Sequence, residues 1–553
     1  MNELNTAISQ LLATRYNIHD ESVDFTVPDA QFGDYATNVA LKISKQAGKN
    51  PREIAEEIKT ELEAQKPEWL KSIAVAGPGF LNLTLSDAAL WNQAKQTPSA
   101  LFAGQEVVLE YSCPNAFKEL HAGHLYQTLV GDVLGNLLVR AGAHVTRTNF
   151  GGDVGLHVAK SLWGIQDLLG GFNVASLEAM LPNEHAAFLS KAYVHGATAY
   201  EEDESVKAAV EAFNKQVYEL HNTNDTQSDF ARVYWMCREW SYAYFKEFYE
   251  LVEVNQFDRY YPESETTPVG LELVKNSTGI FEESDGAVVF KGESVGLHTR
   301  VFITRENLPT YETKDLGVIK LEHDEYRFDR RILITGNDQS EYMKVVFAAA
   351  GQVMPDVAQK MQHLTNGTIR FGDGKKMSSR LGNVSRAVDV ISGASELVQA
   401  DSDELRKTLS LGAVKYSFFK QRFGADIAFD LEESVNLHGN SGPYLQYAYV
   451  RAHSILQKTE AREVAPEFDD IERVFAQKLS KFEYVMEQAA HELAQQLVCT
   501  YLYELAQSFN RFYEDARVIG DEREAVRVML VAQYAQVLKE GLGVLGIRVP
   551  EKM

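Results

Sequence analysis

Two histidines three residues apart, His121 and His124, stand in the stretch SCPNAFKELHAGHLYQTLV, with Lys118 three residues ahead of the first. Residues three apart share a helix face. Both rings therefore belong on the first turn of a helix whose apolar positions Leu125, Leu129, Val133, Leu137 and Leu138 recur at helical spacing before Gly142. Ahead of them Val107, Val108 and Leu109 read as a short strand, with Pro114-Asn115 as the turn between. A basic turn where a strand hands over to a helix faces the ligand crevice of an α/β sheet, and the free N–H groups and dipole of the helix start favour an anion there. The chemistry this suits is phosphate binding. Gly123 lets a flat ring approach the backbone, and adenine is one such ring.

A second element points the same way. Lys375, Lys376, Ser378 and Ser379 form a short cationic and hydroxyl-rich loop after the strand-like IRF. Alone it would serve as a solvated turn, and the histidines alone as surface groups opening a helix. Two phosphate-seeking elements beyond strands of one sheet together imply a nucleoside triphosphate whose leaving pyrophosphate is neutralised by lysine. No Walker sequence is present, which disfavours a P-loop ATPase. Glu110, Asn115, Tyr311, Asp315 and Gln339 are the acidic, amide and phenol groups placed nearest these turns. Tyr311 and Asp315 are four apart and share a helix face, where a carboxylate beside a phenol accepts a guanidinium or ammonium, or simply caps a helix start. Cys113 reads as a small packing residue rather than a nucleophile.

These groups need a scaffold, and at 553 residues with 45% hydrophobic composition the chain can bury several cores. The expected fold is multi-domain α/β. Residues 1–97 read as a small α+β unit, with a helix opened by Asn50-Pro51 and two strands around Gly77-Pro78-Gly79. Residues 105–385 read as a Rossmann-like parallel-sheet catalytic domain, in which HVTRTNFGGDVGLH supplies a second strand ending near Asp153. It carries a helical insertion at about 165–235, with an acidic run at Glu201–Glu204, and a β-rich insertion at about 262–307. Residues 386–553 read as an all-α helix bundle.

The net charge of -24 argues against a non-specific nucleic-acid coat and leaves room for local basic patches. From Asp401 onward 18 Lys and Arg face 24 Asp and Glu, so the bundle is itself acidic. Cys113, Cys237 and Cys499 are too far apart for a disulfide framework or a zinc cluster, and no metal site is expected. No apolar run approaches membrane-span length, and MNELNTAISQ lacks a basic region followed by an apolar core, so no membrane association and a cytoplasmic location are expected.

With SCPNAFKELHAGHL, GGDVG, GNDQ and GKKMSSRLGNV in this order, the chain resembles a class I aminoacyl-tRNA synthetase, and within that class an arginyl-tRNA synthetase. GDYATNVALKISKQAGKNPREIAEEI looks like the family's N-terminal tRNA-contacting domain. GAVKYSFFKQR, HGNSGPYLQYAYVRAHSIL and the closing VLKEGLGVLGIRVPEKM look like its anticodon-binding domain. The resemblance implies that His121 and His124 hold the ATP phosphates and that Gly123 faces the adenine. Lys375, Lys376 and Met377 would belong to the ATP site, with Lys376 and Ser378 stabilising the departing pyrophosphate. Asn115 would bind the amino or carboxylate group of L-arginine, while Glu110, Tyr311, Asp315 and Gln339 would read its guanidinium and amino group. Mg²⁺ would bridge the phosphates rather than sit in a protein cage.

Two departures stand out. The family's lysine loop often carries a second lysine where this chain has Ser379, and members lacking it carry a lysine three residues before the first histidine, here Lys118. Lys118 is therefore expected to supply the missing charge. In GGDVG the family usually has tryptophan at Val154, and it commonly has glutamine at His157. The implied reaction has arginine attack the α-phosphorus of ATP, after which the adenylate passes to the 2'-hydroxyl of the terminal adenosine of tRNA(Arg), with tRNA required for efficient activation. A monomer is implied too. An adenylating enzyme for another substrate, and a non-catalytic RNA- or protein-binding relative, remain the alternatives.

Overall fold

Val107, Val108 and Leu109 are all buried in strand β1 (Glu106–Glu110), as a strand covered on both faces of a parallel sheet requires. The structure is a computed structural model describing residues 2–19, 21, 23–28, 30–371 and 386–553. After β1 come helix α1 (Ala122–Arg140) and strand β2 (His144–Gly151). The helical insertion follows as α2 (Leu156–Leu169), α3 (His185–Glu202), α4 (Glu204–Thr223) and α5 (Asp229–Leu251). Next are β3 (Arg259–Pro262), α6 (Glu263–Asn276), α7 (Tyr311–Tyr326), β4 (Arg330–Gly336), α8 (Ser340–Val353) and β5 (Met361–Asn366).

Among the described residues the strands form one sheet in the order β5-β4-β1-β2-β3, every neighbour parallel. Val108 of β1 and Leu333 of β4 pack on Leu316 and Ile319 of α7 and on Met343 and Val346 of α8. The insertion has its own apolar core, where Val158, Leu162, Leu189, Val217, Leu220 and Phe230 meet. This is the expected Rossmann-like arrangement, and its ligand crevice lies beyond the carboxyl ends of β1, β2 and β4.

Two expectations about the insertions need correction. The helical one does not stop near 235, because α5 continues to Leu251. The segment 262–307 is only partly β. Arg259–Pro262 is the edge strand of the main sheet, residues 263–276 are helix α6, and the antiparallel part is confined to Phe281–Ser284, Ala287–Phe290 and Arg300–Ile303. The reason is tertiary. A Cβ on Gly270 would lie 1.9 Å from the Thr313 carbonyl oxygen, and one on Gly317 would lie 2.2 Å from that of Thr266. Helices α6 and α7 thus touch backbone to backbone, and that packing overrides the β preference of Thr266, Thr267 and Val269.

The chain forms two compact units, and the helices of the 386–553 segment are divided between them. One unit comprises residues 99–447, 487–500 and 541–553 and includes the sheet. The other comprises residues 1–98, 448–486 and 501–540. In the second unit, Tyr35–Thr37, Phe80–Leu85 and Leu70–Ala76 make an antiparallel sheet, with Phe80–Leu85 in the centre. Arg473, on the helix Asp470–Leu479, pairs with Asp34 at 3.0 Å and with Asp87. One arginine thus meets the buried carboxylate of Asp34 and the half-buried one of Asp87, both of the N-terminal module, and that helix packs there. Among the described residues no helix is long and apolar enough to cross a membrane.

Candidate active site

The chain leaves β1 at Glu110 and reaches α1 through a strained loop. Ser112, Cys113 and Phe117 hold left-handed backbones at φ 72°, 43° and 66°, each costing roughly 1–3 kcal/mol for a residue with a side chain. Such strain flanks Asn115, a half-buried residue whose backbone bridges Gly152 at the end of β2. His121 sits at the N-cap of α1 and His124 in its first turn. The His121 N–H donates to His124 Nδ1 at 3.3 Å, and the two rings lie 3.8 Å apart. A Cβ on Gly123 would fall 2.8 Å from His121 Cε1, so the missing side chain leaves room for the His121 ring against the first turn of α1.

Burial, then His121 and Lys118, push the His124 pKa well down. His157, whose Nε2 lies 3.1 Å from the Gly152 carbonyl oxygen, is pushed down to about 3 by desolvation and then by Lys118. These two rings are neutral at physiological pH, which leaves Lys118 as the fixed positive charge beside them. Among the described residues no carboxylate lies in ion-pair range of Lys118, and its ammonium sits 5.3 Å over the Tyr193 ring. Arg386 returns the chain to the turn by bridging His121, and Ala387 N–H donates to Leu120 O at 2.8 Å. The guanidinium of Arg386 is taken by Glu119 and Asp389. Lys375, Lys376, Met377, Ser378 and Ser379 lie outside the described residues.

The other half of the site is acidic. Glu110, expected to read a ligand guanidinium, already has a cationic partner within the fold. It is 1% exposed, pairs with Arg331, and accepts a weak bond from Cys113 Sγ at 3.7 Å. Arg331 also donates to Glu322 at 2.6 Å, and Thr148 donates to the same carboxylate at 2.6 Å. The register causes this: Val108 faces Arg331 and Glu110 faces Leu333, which puts Glu110 and Arg331 on one side of the sheet. Asp315 is buried and accepts from the Tyr342 hydroxyl, whereas Tyr311, one turn earlier, is 54% exposed. Lys314 pairs with buried Glu263 at 2.5 Å and lies 4.3 Å over the Tyr311 ring. Gln339 is exposed in the turn before α8.

Sequence reading missed Arg331, Lys314 and Glu263. The signal for Arg331 was a charge inside the apolar strand RRILIT, at an inward position shared with Leu333. Glu110, Asp315, Glu322 and Glu263 are four buried carboxylates against two buried cations, Arg331 and Lys314, while buried Glu312 pairs with Arg300. With every group ionised the pocket would be two positive charges short, a deficit that burial reduces by raising the pKa of Asp315, Glu110 and Glu263. Asp153 is a brace: it accepts from Arg238 Nε at 2.9 Å and from the Ser264 N–H and hydroxyl at 2.9 and 2.7 Å, tying β2 to α5 and α6. Val154 lies in the apolar core of the insertion beside Phe117 and Tyr234.

A pH dependence follows. Burial pushes Asp315 up to about 7 and raises Glu110 and Glu263 as well. Between the ordinary carboxylate range and about 7 the folded chain therefore holds more protons than the unfolded one, so stability falls as pH rises by about 1.4 kcal/mol per unit for each proton retained. Thermal melts of the unliganded chain should show the contribution present at pH 5 and lost by pH 8, against the trend set by exposed carboxylates. A Tm rising through this range would contradict it.

The family model described as tRNA synthetases class I (R), catalytic domain, matches residues 86–430. Residues 2–85 match the arginyl tRNA synthetase N terminal domain, and 445–553 match the DALR anticodon binding domain. The chain belongs to the class I arginyl-tRNA synthetase family. It is similar to the arginine--tRNA ligase of Bacteroides fragilis, at 30% identity over 95% of this chain and 94% of that one. Arginyl-tRNA synthetase of Thermus thermophilus superposes with a TM-score of 0.79 at 25% identity over the whole of both chains. The Plasmodium falciparum enzyme shares the fold, with a TM-score of 0.80 at 20% identity over 100% of this chain and 99% of that one. The catalytic match runs past the expected boundary at 385, and strand pairing explains it: Ile427–Phe429 lies parallel to Ile369–Phe371. In this arginyl-tRNA synthetase family member, the histidine turn and the acidic pocket thus share one continuous catalytic segment.

Proposed function

We propose that the chain joins L-arginine to tRNA(Arg). Arginine is activated by ATP to arginyl-adenylate with release of pyrophosphate, and the arginyl group then passes to the 2'-hydroxyl of the terminal adenosine with release of AMP. One observation carries the assignment of residues: the segment from Glu110 to His124 separates charge. At one end an acidic pocket, once its carboxylates are ionised, lacks two positive charges, which the guanidinium and α-ammonium of arginine would supply. At the other an unneutralised ammonium stands beside two histidines at a helix start, a setting for phosphates.

Asp315, Glu263 and Tyr311 would face the amino acid, with Asn115 at its backbone end. Glu110 would act through Arg331, and Gln339 remains an expectation of the family resemblance. His121 and His124, as neutral rings, would donate to phosphate oxygens while Lys118 neutralises the charge that develops on them. Positioning and electrostatics of this kind supply most of the acceleration in phosphoryl and adenylyl transfer. Mg²⁺, which dehydrates reluctantly and is ordinarily held through substrate phosphates, would arrive on the ATP phosphates.

The test is amino-acid-dependent pyrophosphate exchange, with arginine compared against lysine, cysteine and glutamate, each with and without tRNA. Exchange with arginine alone, and only with tRNA(Arg) present, is expected. Exchange driven by another amino acid, or tRNA binding with no adenylate formed, would overturn the reading.

A further inference from the structure

Five lysines lie over aromatic rings among the described residues: Lys49, Lys95, Lys118, Lys160 and Lys314. Four of them also pair with a carboxylate, namely Glu57, Glu463, Glu201 and Glu263. Lys118 has the ring of Tyr193 at 5.3 Å and, among the described residues, no carboxylate in range. We propose that Tyr193, on helix α3 of the insertion, is a positioning residue of the nucleotide half of the site, holding the Lys118 ammonium ready for a triphosphate without neutralising it. The inference rests on the function proposed above and names a new participant in it.

A partly desolvated ammonium can be held by a carboxylate or by the negative face of a ring. A carboxylate would cancel the charge that the phosphates must meet and would repel them. A ring within about 6 Å fixes the ammonium through its quadrupole and leaves the full charge in place. Tyr193 is half-buried, so its ring is held rather than free in solvent.

The fold fixes where Tyr193 stands. Helix α2 starts directly after Gly155, at the end of β2, and is therefore registered to the sheet. Helix α3 crosses α2 in backbone contact: a Cβ on Gly164 would lie 2.0 Å from the Ala192 carbonyl oxygen, and one on Gly196 would lie 1.9 Å from that of Lys160. Tyr193 falls between Ala192 and Gly196, so its position follows from a crossing that has no slack. The helical insertion thus contributes a wall to the site rather than decorating the surface of the sheet.

The test uses the full chain with tRNA(Arg) and reads the KM for MgATP and for arginine separately, with MgATP affinity measured by calorimetry alongside. Tyr193→Leu should raise the KM for ATP by about 3- to 30-fold, the range of a desolvated cation–π contact, and leave that for arginine within about twofold. Tyr193→Phe, which keeps the ring face, should recover most of the affinity. Fluorinated phenylalanines at position 193 keep the shape and strip the negative face, so ATP affinity should weaken along that series even if the leucine variant folds poorly. In a Lys118→Met background Tyr193→Leu should add nothing. An unchanged ATP affinity, an equal rise in both KM values, a phenylalanine variant as weak as leucine, or a full effect in the Lys118→Met background would each overturn the proposal. Absence of arginine-dependent exchange in the unaltered chain would instead overturn the proposed function, while the MgATP calorimetry would still decide the role of Tyr193.

Discussion

Lys118→Ala should lower the rate of arginine-dependent pyrophosphate exchange by about 10²–10³-fold, the loss typical when one preorganised group at developing charge is removed. His124 and His157 are held neutral, so neither supplies the positive charge that a departing pyrophosphate requires. Where the family resemblance leads one to expect a second loop lysine this chain has Ser379, and Lys118 is the substitute we propose. The KM for arginine should stay close to its starting value, because Lys118 stands on the nucleotide side and touches no acid of the pocket. Stability should not fall either, since desolvation already lowers the Lys118 pKa and no ion pair among the described residues is broken. Ser379→Lys in the Lys118→Ala background should return part of the lost rate. Lys118→Ala with an undiminished exchange rate would show that the charge comes from elsewhere.

How far these residues could be read in advance depended on whether their partners were near in sequence. The Glu106–Gly142 stretch was legible because apolar periodicity sets both β1 and α1, and because His121 and His124 meet on one helical turn. Asn50 was legible as a cap for the same reason, its side chain accepting from Arg52 two residues on. Arg331 was not, since its partner Glu110 lies 221 residues away and only the β1–β4 register brings them together. The same distance hid the ion pair that Glu110 makes within the fold. Helix α6 was misread because Thr266, Thr267, Pro268 and Val269 favour a strand or a break, and the backbone contact with α7 that outweighs them involves Gly317. Glu263 and Lys314 were missed with it, as their ion pair exists only once that contact forms.

Arg331→Met should destabilise the chain by about 3–5 kcal/mol at pH 8, the penalty for removing one partner of a buried ion pair. Arg331 is 1% exposed, and its loss would leave Glu110 and Glu322, 1% and 0% exposed, without their common counter-charge. Thr148 would still donate to Glu322, which satisfies one oxygen and none of the charge. Glu110, which burial already raises, would then hold its proton more firmly in the folded state and release it on unfolding. The variant should therefore regain stability as pH falls from 8 toward 6. Adding Glu322→Gln should recover more than half of the loss, because the amide keeps a partner for Thr148 and removes one of the two stranded charges. Urea midpoints at pH 6 and pH 8 for the single and double variants would measure each step. An Arg331→Met chain within about 1 kcal/mol of the original at pH 8, a difference typical of surface changes, would mean that the two carboxylates find other compensation and that Arg331 does not set the charge of the amino-acid pocket.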